Sequence, residues 1–179
     1  MHRVFCALFV ISVVAFTSVR ASPRPESFRL PGHGELELAV PDGWVSKLNQ
    51  PTGDVPPTIV IGPKSGQPFV VMVTPFWRKG EDSQVHESAL REQTEGAAAK
   101  AQSQAVEEKI VLKDMSGTDG RGYYFTATDR APKPGEYKYL TQGMLKLGNL
   151  ALAFTILSND GQSEVITSAM QLLSTATHK

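Results

Sequence analysis

The residues best suited to acid–base or metal chemistry are few and scattered along the chain. Beyond the apolar N-terminal run there are three histidines, His33, His86 and His178. A metal site needs ligands at matched spacing, such as two histidines one helical turn apart, and no such pair occurs among the three. The pattern therefore favours histidines on a solvated surface over metal ligands or general bases.

Two short segments resemble catalytic or phosphate-binding motifs. Gly161-Gln162-Ser163-Glu164 begins like the nucleophile elbow of a serine hydrolase, but Val165 stands where that motif has glycine. The glycines of segment 117–122 lead into a predicted strand, whereas a phosphate loop leads into a helix. We interpret the first segment as a helix cap formed by Ser or Asp and the second as a tight turn.

The acidic residues and the cysteine also indicate no catalytic centre. The aspartates are dispersed, without the acidic twelve-residue loop of a calcium site. Neighbouring carboxylates such as Glu35 and Glu37 lie on apparent solvent faces, which suits solubility better than acid–base catalysis. The single cysteine, Cys6, lies in the N-terminal apolar run, so no thiol chemistry is expected beyond it. We predict no catalytic residue, no metal site, no cofactor and no enzymatic activity.

Residues 1–21 have the three parts of a secretory signal peptide. His2 and Arg3 form a short basic start, residues 4–16 are almost entirely apolar, and small residues precede the end of the segment. The apolar run is too short to span a bilayer, and the alternative is a buried helix of the fold. We expect cleavage after Ala21 and a periplasmic or secreted protein.

Charge narrows the choice of partner. The chain has 18 basic and 18 acidic residues, a formal net charge of zero, and no basic block, which makes nucleic acid a poor partner. No later apolar segment is long enough for a membrane span. We therefore expect the partner to be another protein of the cell envelope and not a nucleic acid.

The order of predicted elements is three strands, a helix, four strands and a second helix. Residues 22–34 are rich in Pro and Ser and read as a flexible N-terminal arm, and residues 35–179 read as one domain. Strands joined by short turns favour an antiparallel sheet. We predict an α+β fold with an antiparallel β-sheet of about six to seven strands and helices packed on its faces. The long first helix, from about Glu81 to Ala105, carries a weakly apolar face marked by Val85, Ala89, Gln93, Gly96 or Ala97, and Lys100 or Ala101.

This order resembles the superfamily of the PsbP proteins, the Mog-type Ran-binding proteins and the bacterial DcrB-like periplasmic proteins. The resemblance is carried by Pro41-Asp42-Gly43-Trp44 after the first strand, by the hairpin Gly122–Met144, and by the strand, turn and helix from Leu150 to Leu173. It implies a sheet sandwiched between helices, usually without a catalytic centre. It implies no particular ligand, because members of the superfamily do unrelated work.

The hairpin Gly122–Met144 has the densest group of aromatic residues. Pairing its arms by polarity sets Ala127 opposite Tyr139 and Arg130 opposite Glu136, which places most of the tyrosines inside the sheet. Residues 131–135, Ala-Pro-Lys-Pro-Gly, then form an exposed tip of a kind suited to recognition.

The predicted function is that of an exported accessory domain, without enzymatic activity, that binds a protein or another component of the cell envelope. The predicted interaction surface comprises Trp77, Arg78, Tyr124, Arg130, Lys133 and Lys138. The alternative is a small-ligand-binding periplasmic protein with a pocket between sheet and helix, favoured if that pocket is deep and lined by Tyr and Arg. An enzyme of unrecognised type is a third interpretation, favoured if His33 or His86 lies in a cleft beside a carboxylate.

Overall fold

The computed structural model describes residues 23–53, 55–77 and 84–179. The predicted signal peptide, residues 1–21, and its cleavage point after Ala21 therefore lie outside the described residues. The elements, in chain order, are β1 (Arg24–Arg29), β2 (Glu35–Val40), β3 (Trp44–Asn49), β4 (Thr58–Pro63), β5 (Val70–Phe76), α1 (Glu87–Ala101), β6 (Lys113–Gly117), β7 (Gly120–Thr128), β8 (Tyr139–Leu147), β9 (Leu150–Ser158), α2 (Ser163–Ser174) and β10 (Thr177–His178).

Seven strands form one antiparallel sheet in the order β3-β4-β5-β9-β8-β7-β6. Strand β9 lies at its centre and pairs along its whole length with β8 and over seven positions with β5. Short turns join β6 to β7 and β8 to β9, and a longer connection joins β7 to β8, whereas β5 and β9 pair only after α1 and three strands have intervened. The predicted α+β class, antiparallel sheet and strand number are confirmed.

A second, three-stranded sheet has the order β1-β2-β10. Its first strand occupies residues that the sequence predicts to be a flexible arm, and that part of the prediction is wrong. Arg24 to Arg29 pair in continuous antiparallel register with Val40 to Glu35, and Phe28 is buried against the core. The segment is ordered because β2 supplies both its hydrogen bonds and an apolar surface, which local composition does not reveal.

One face of the large sheet is buried by α2 and the small sheet. The side chains beneath them belong to a single core cluster that draws on β2, β4, β5, β8, β9 and α2. Leu172 and Leu173 of α2 are almost fully buried there, as the broad apolar stripe of this helix predicts. The predicted Ser or Asp cap is wrong, because α2 begins after Gln162 without a side-chain capping bond. The Gln162 side chain instead bonds the Asn159 N–H and the carbonyls of Gln67 and Pro68.

The other face of the sheet carries α1, which packs on β7 and β8. The buried side chains of α1 are Leu90, Thr94 and Ala98. Of the predicted face, Val85 is buried, and Ala97 and Ala101 pack against a core cluster. Ala89 and Gln93 each precede a buried residue by one position, and Gln93 and Gly96 are exposed, so that part of the predicted face is wrong. Two separate small clusters lie under the helix, one around Leu90 and Met144 and one around Ala98 and Phe125.

The β7–β8 register differs from the predicted one by one residue. Thr128, rather than Ala127, lies opposite Tyr139, and Tyr124 lies opposite Gly143. Tyr139 is therefore on the α2 side of the sheet, away from Tyr123 and Phe125, which face α1. The long connection between the strands permits this offset because no tight turn dictates the pairing. No described helix has the length and apolar character needed to cross a bilayer.

Gly143 allows close packing between strands in this region. A Cβ at Gly143 would lie 2.3 Å from the Tyr123 carbonyl oxygen and 2.7 Å from Cζ of Phe154. We expect Gly143→Ala to lower the free energy of unfolding by roughly 1–3 kcal/mol, because the added methyl group overpacks the sheet. Urea unfolding followed by circular dichroism measures the change.

The matched control is Gly96→Ala on α1, where a Cβ would meet nothing within 4 Å. This change should raise stability by about 0.5–1 kcal/mol, because alanine favours a helix interior over glycine. Equal unfolding midpoints for the two variants would contradict the packing described for Gly143.

Candidate functional site

Three side chains, those of Lys138, Tyr139 and Asp160, meet at the end of the sheet marked by Tyr139 and Ser158, which we call the Tyr139 end. The Lys138 ammonium lies 2.9 and 3.0 Å from the two carboxylate oxygens of Asp160, and the Tyr139 hydroxyl donates to Asp160 at 2.6 Å. The Lys138 ammonium also lies 5.3 Å from the centre of the Tyr139 ring. The hydrogen bond from Tyr139, then those from Lys138, hold the pKa of Asp160 below its ordinary value. Lys138 is thus held in a local network that joins β8 to the start of α2.

Arg130 and Lys133 lie beside this network, in the connection between β7 and β8. Arg130 Nη2 donates to the Ala105 carbonyl at 2.7 Å, and its backbone N–H donates to the Gln104 carbonyl at 2.9 Å. The tip is closed by Glu136, whose carboxylate accepts the Lys133 N–H at 2.9 Å. Arg130 does not pair with Glu136 as the predicted register required. Both cationic side chains remain exposed, on a connection anchored by hydrogen bonds.

Tyr124 and Trp77 lie elsewhere. Tyr124 is half-buried in the middle of β7, where it packs against the main core and lies 5.8 Å from the Lys113 ammonium. Trp77 follows β5 at the opposite end of the sheet and stacks on His33, with ring centroids 4.1 Å apart. Arg78 lies outside the described residues.

The predicted interaction residues therefore do not form one surface. Phe76, next to Trp77, pairs with Ala151 at one end of β9, and Tyr139 pairs with Ser158 at the other. Seven residues of extended chain separate these points, roughly 23 Å at about 3.3 Å per residue. Arg130, Lys133 and Lys138 lie on the connection between β7 and β8, at the Tyr139 end, and Trp77 and Tyr124 lie apart from them.

A second candidate surface is the α1-side face of β3, β4, β5 and β9, which we call the open face. Of these strands only β9 is reached from the α1 side, where its Ala151 is buried in a cluster with Val85 and Leu90 and its Ala153 packs against that cluster; none of the described elements packs over β3, β4 and β5 as α1 packs over β7 and β8. Besides Ala151, the register places on the open face the side chains of Val45, Lys47, Asn49, Thr58, Val60, Val70, Met72, Thr74, Phe76, Ala153, Thr155 and Leu157. All of these except Ala151 are half-buried or exposed.

Strands β4, β5 and β9 are buried on their other face, whereas the outer strand β3 is half-buried there, so for the three inner strands the contrast does not come from a position at an edge. Ile59, Ile61, Val71 and Val73 alternate with the residues of the open face, and each has no solvent exposure. On the open face, Val45 is 47 % exposed and Phe76 39 %. No acidic residue is among those that the register places on the open face, and its one basic residue is Lys47, on the outer strand β3.

A cavity of about 310 Å³ lies where the open face meets the first half of α1. Its floor is formed by Phe76, Ala151 and Met144, and its wall by residues of α1 and the segment before it. It is a recess at the foot of the helix, open to the neighbouring sheet. The recess stays unfilled because Ala89, which lines it, has a small side chain. The buried face of α1 runs through Leu90, Thr94 and Ala98.

The tyrosine and arginine lining expected of a ligand pocket is not met at this recess, which His86 also lines. It has aromatic lining from Phe76 and Trp77, but neither tyrosine nor arginine. A smaller pocket, of about 180 Å³, is lined by Tyr137 and Lys138 at the Tyr139 end. Within residues 23–53, 55–77 and 84–179 there is no group of three side chains able to hold a metal ion. His33 is engaged in stacking with Trp77, and its carbonyl oxygen lies 2.6 Å from Nε2 of His178.

Sequence reasoning missed the open face, although the sequence contains a signal for it. Residues 69–73, FVVMV, are apolar at consecutive positions, and β4 likewise has apolar residues on both faces. Such a strand is expected to be covered on both sides. Only the structure shows that α1 covers other strands, so that this second apolar face is left without a described cover.

Comparison with known proteins identifies the fold. No protein-family model and no curated protein matches the sequence. By structure the chain is similar to a cyanobacterial PsbP (CyanoP) from Synechocystis sp. PCC 6803, with a TM-score of 0.54 and 9 % sequence identity. The match covers 94 % of this chain and 98 % of that one. The PsbP-like fold expected from the resemblance is confirmed, and at this identity the similarity concerns the fold alone.

The network at the Tyr139 end gives a prediction about proton binding. Because the Tyr139 hydroxyl bond is the largest cause that lowers the pKa of Asp160, Tyr139→Phe should raise that pKa towards its ordinary value. The stabilisation from this lowered pKa is present above the ordinary carboxyl pKa and is lost as pH falls through the lowered one. A carboxyl-carbon NMR titration measures the shift.

Tyr137→Phe is the control, because no bond joins Tyr137 to Asp160 among those of the described residues. It should leave the Asp160 titration unchanged. If the Asp160 titration is the same in both variants and in the parent chain, the Tyr139 hydroxyl does not lower the pKa of Asp160, and the prediction is wrong.

Proposed function

We propose that the protein is an exported, non-enzymatic accessory domain that binds another protein of the cell envelope. The observation that carries the proposal is the open face, a largely apolar surface whose strands β3, β4 and β5 have no described element packed over them. Monomeric proteins seldom expose a contiguous apolar patch of this kind unless it serves binding. Binding there removes apolar side chains from water, which contributes about 25 cal/mol per Å² buried.

The composition of the open face fits a protein partner. Threonines lie among the aliphatic residues, and exposed Val45 and Phe76 mark its two ends. A surface of this kind keeps the free protein soluble and still gains from desolvation on binding. The strands of the open face are already held by pairing in the sheet, so their backbone loses little conformational entropy when a partner docks.

The cationic group at the Tyr139 end is a second contact for the same role. Arg130, Lys133 and Lys138 lie on a connection that is held by internal hydrogen bonds. Exposed charges of this type raise association rates and set orientation more than they add affinity. Trp77, by the recess at the other end, extends the contact area of the open face.

Binding of a small apolar ligand in the recess beside α1 is a second candidate function. The volume of about 310 Å³ is at the lower end of the range for ligand sites, roughly 300–1,000 Å³. The recess opens along the sheet instead of enclosing a ligand. This geometry favours a site that continues into a larger docking surface.

Photo-cross-linking in cells tests the main proposal. A photoreactive amino acid is placed at Val45 or Phe76, on the open face, and at Val111, an exposed valine outside it that serves as the matched control. We expect discrete protein adducts from Val45 and Phe76 and none from Val111. Adducts from a probe at Lys133 alone would assign binding to the tip and contradict the role of the open face.

The exported form gives a separate prediction. Cleavage after Ala21 produces a protein that begins at Ser22, two residues before β1. Intact mass and N-terminal sequencing of the protein recovered from the envelope fraction measure this. Recovery of the full-length chain from the cytoplasm would contradict export by a cleaved signal peptide.

A further inference from the structure

The layer that contains α1 is only partly filled. The large sheet has seven strands spaced about 4.8 Å apart, and α1 packs mainly on two of them, β7 and β8, which matches the diameter of one helix, about 10 Å. Strand β6 lies on one side of α1. On the other side β9, β5, β4 and β3 span about 14 Å from the first backbone to the last, and the α1 side reaches only Ala151 and Ala153 of β9. The open face is therefore a step beside α1, wide enough for a second helix in the same layer.

The α1 flank that borders this step is small and largely uncharged. Ala89, Gln93 and Gly96 follow one another at helical spacing on this side, and a Cβ at Gly96 would meet nothing within 4 Å. Arg91 and Glu95 form an ion pair on the other side, where Arg91 lies over the Tyr123 ring of β7. The flank thus permits close approach of a neighbouring helix.

The charges at the two borders of the step have the same sign. Lys47 lies on the outer strand β3, and Lys100 follows Gly96 by four residues on the α1 flank, and both are exposed. The residues that the register places on the floor between them include no carboxylate. An occupant that complements this arrangement has an apolar stripe with acidic residues on either side.

We propose that the step beside α1 binds an amphipathic helix of a partner protein, with its apolar stripe on β9, β5 and β4 and acidic residues facing Lys47 and Lys100. This proposal rests on the proposed function and specifies its partner. A helix about 20 Å long, or 14 residues, matches the length of these strands. The mode is the docking of a helix into an apolar groove.

Other occupants fit the step less well. A flat bilayer does not reach the floor, because α1 rises beside it by about the diameter of a helix. A second copy of this chain, docked face to face, brings its own α1 onto the floor. The outer side of α1 carries Arg91, Glu92 and Glu95, and burying these charges on an apolar sheet is unfavourable.

Two synthetic peptides test the proposal with the purified chain that begins at Ser22. Each has 18 residues with the same leucine stripe, and the flanking positions are Glu in one peptide and Lys in the other. Fluorescence anisotropy measures binding. We expect the Glu peptide to bind at least tenfold more tightly than the Lys peptide, and Met72→Asp to weaken the Glu peptide at least tenfold.

Charge reversal at the two borders provides the sharper readout. The double variant Lys47→Glu, Lys100→Glu should reverse the preference between the two peptides. Lys109→Glu with Arg121→Glu alters net charge equally at exposed positions away from the step, and should keep the preference for the Glu peptide. Circular dichroism and urea midpoints check folding, and Val45→Asp replaces Met72→Asp if that variant does not fold.

Several results would overturn the proposal. They are absence of peptide binding, equal affinity for both peptides, and a preference that is unchanged in the border variant. A dimer in sedimentation, or binding to anionic vesicles, that Met72→Asp abolishes would assign the step to a second copy or to a membrane. If Val45 and Phe76 cross-link a partner through a non-helical segment, the helix proposal fails and the proposed function stands; if they cross-link nothing, both fail.

Discussion

The pairing of β9 with β5 on one side and β8 on the other is the constraint on which the rest of the fold depends. It joins the first half of the chain to the second and is the only link between strands distant in sequence within the large sheet, as far as the described residues go. Leu150, Leu152, Phe154 and Ile156 of β9 are at most 1 % exposed and form the centre of the main core. Because side chains alternate along a strand, this register also decides which residues of every other strand face the core.

The two faces of the sheet are consequently stabilised in different ways. The α2 side is a continuous apolar core that includes the small sheet, whereas the α1 side consists of two small clusters under one helix. The residues of α1 that reach the sheet include Thr94 and Ala98, which bury little apolar area each. Most of the stability therefore comes from the α2 side, and the open side is available for binding at little cost to the fold.

Much of the fold could be predicted because its signals are local. The apolar stripe of α2 and the consecutive apolar residues of β5 and β9 predict their elements from spacing alone. The β7–β8 register could not be predicted for two reasons. Gly143 has no side chain to mark a face, and Tyr139 lies opposite Thr128, where its hydroxyl donates a hydrogen bond to Asp160. Strand β1 was missed for a related reason, since its order depends on β2 and not on its own composition.

The predicted interaction surface stays a prediction, because it was chosen by residue type. Sequence reasoning chose exposed cations and aromatics, and Arg130, Lys133 and Lys138 lie on the connection between β7 and β8, each with its own hydrogen-bond partner. The open face has no such residue types, since Val60, Val70 and Met72 are indistinguishable in sequence from core residues. Whether an apolar strand face is core or surface depends on where a helix from elsewhere in the chain packs. Here α1 packs on β7 and β8, which leaves the apolar face of β4 and β5 for a cover that the described part of the chain does not supply.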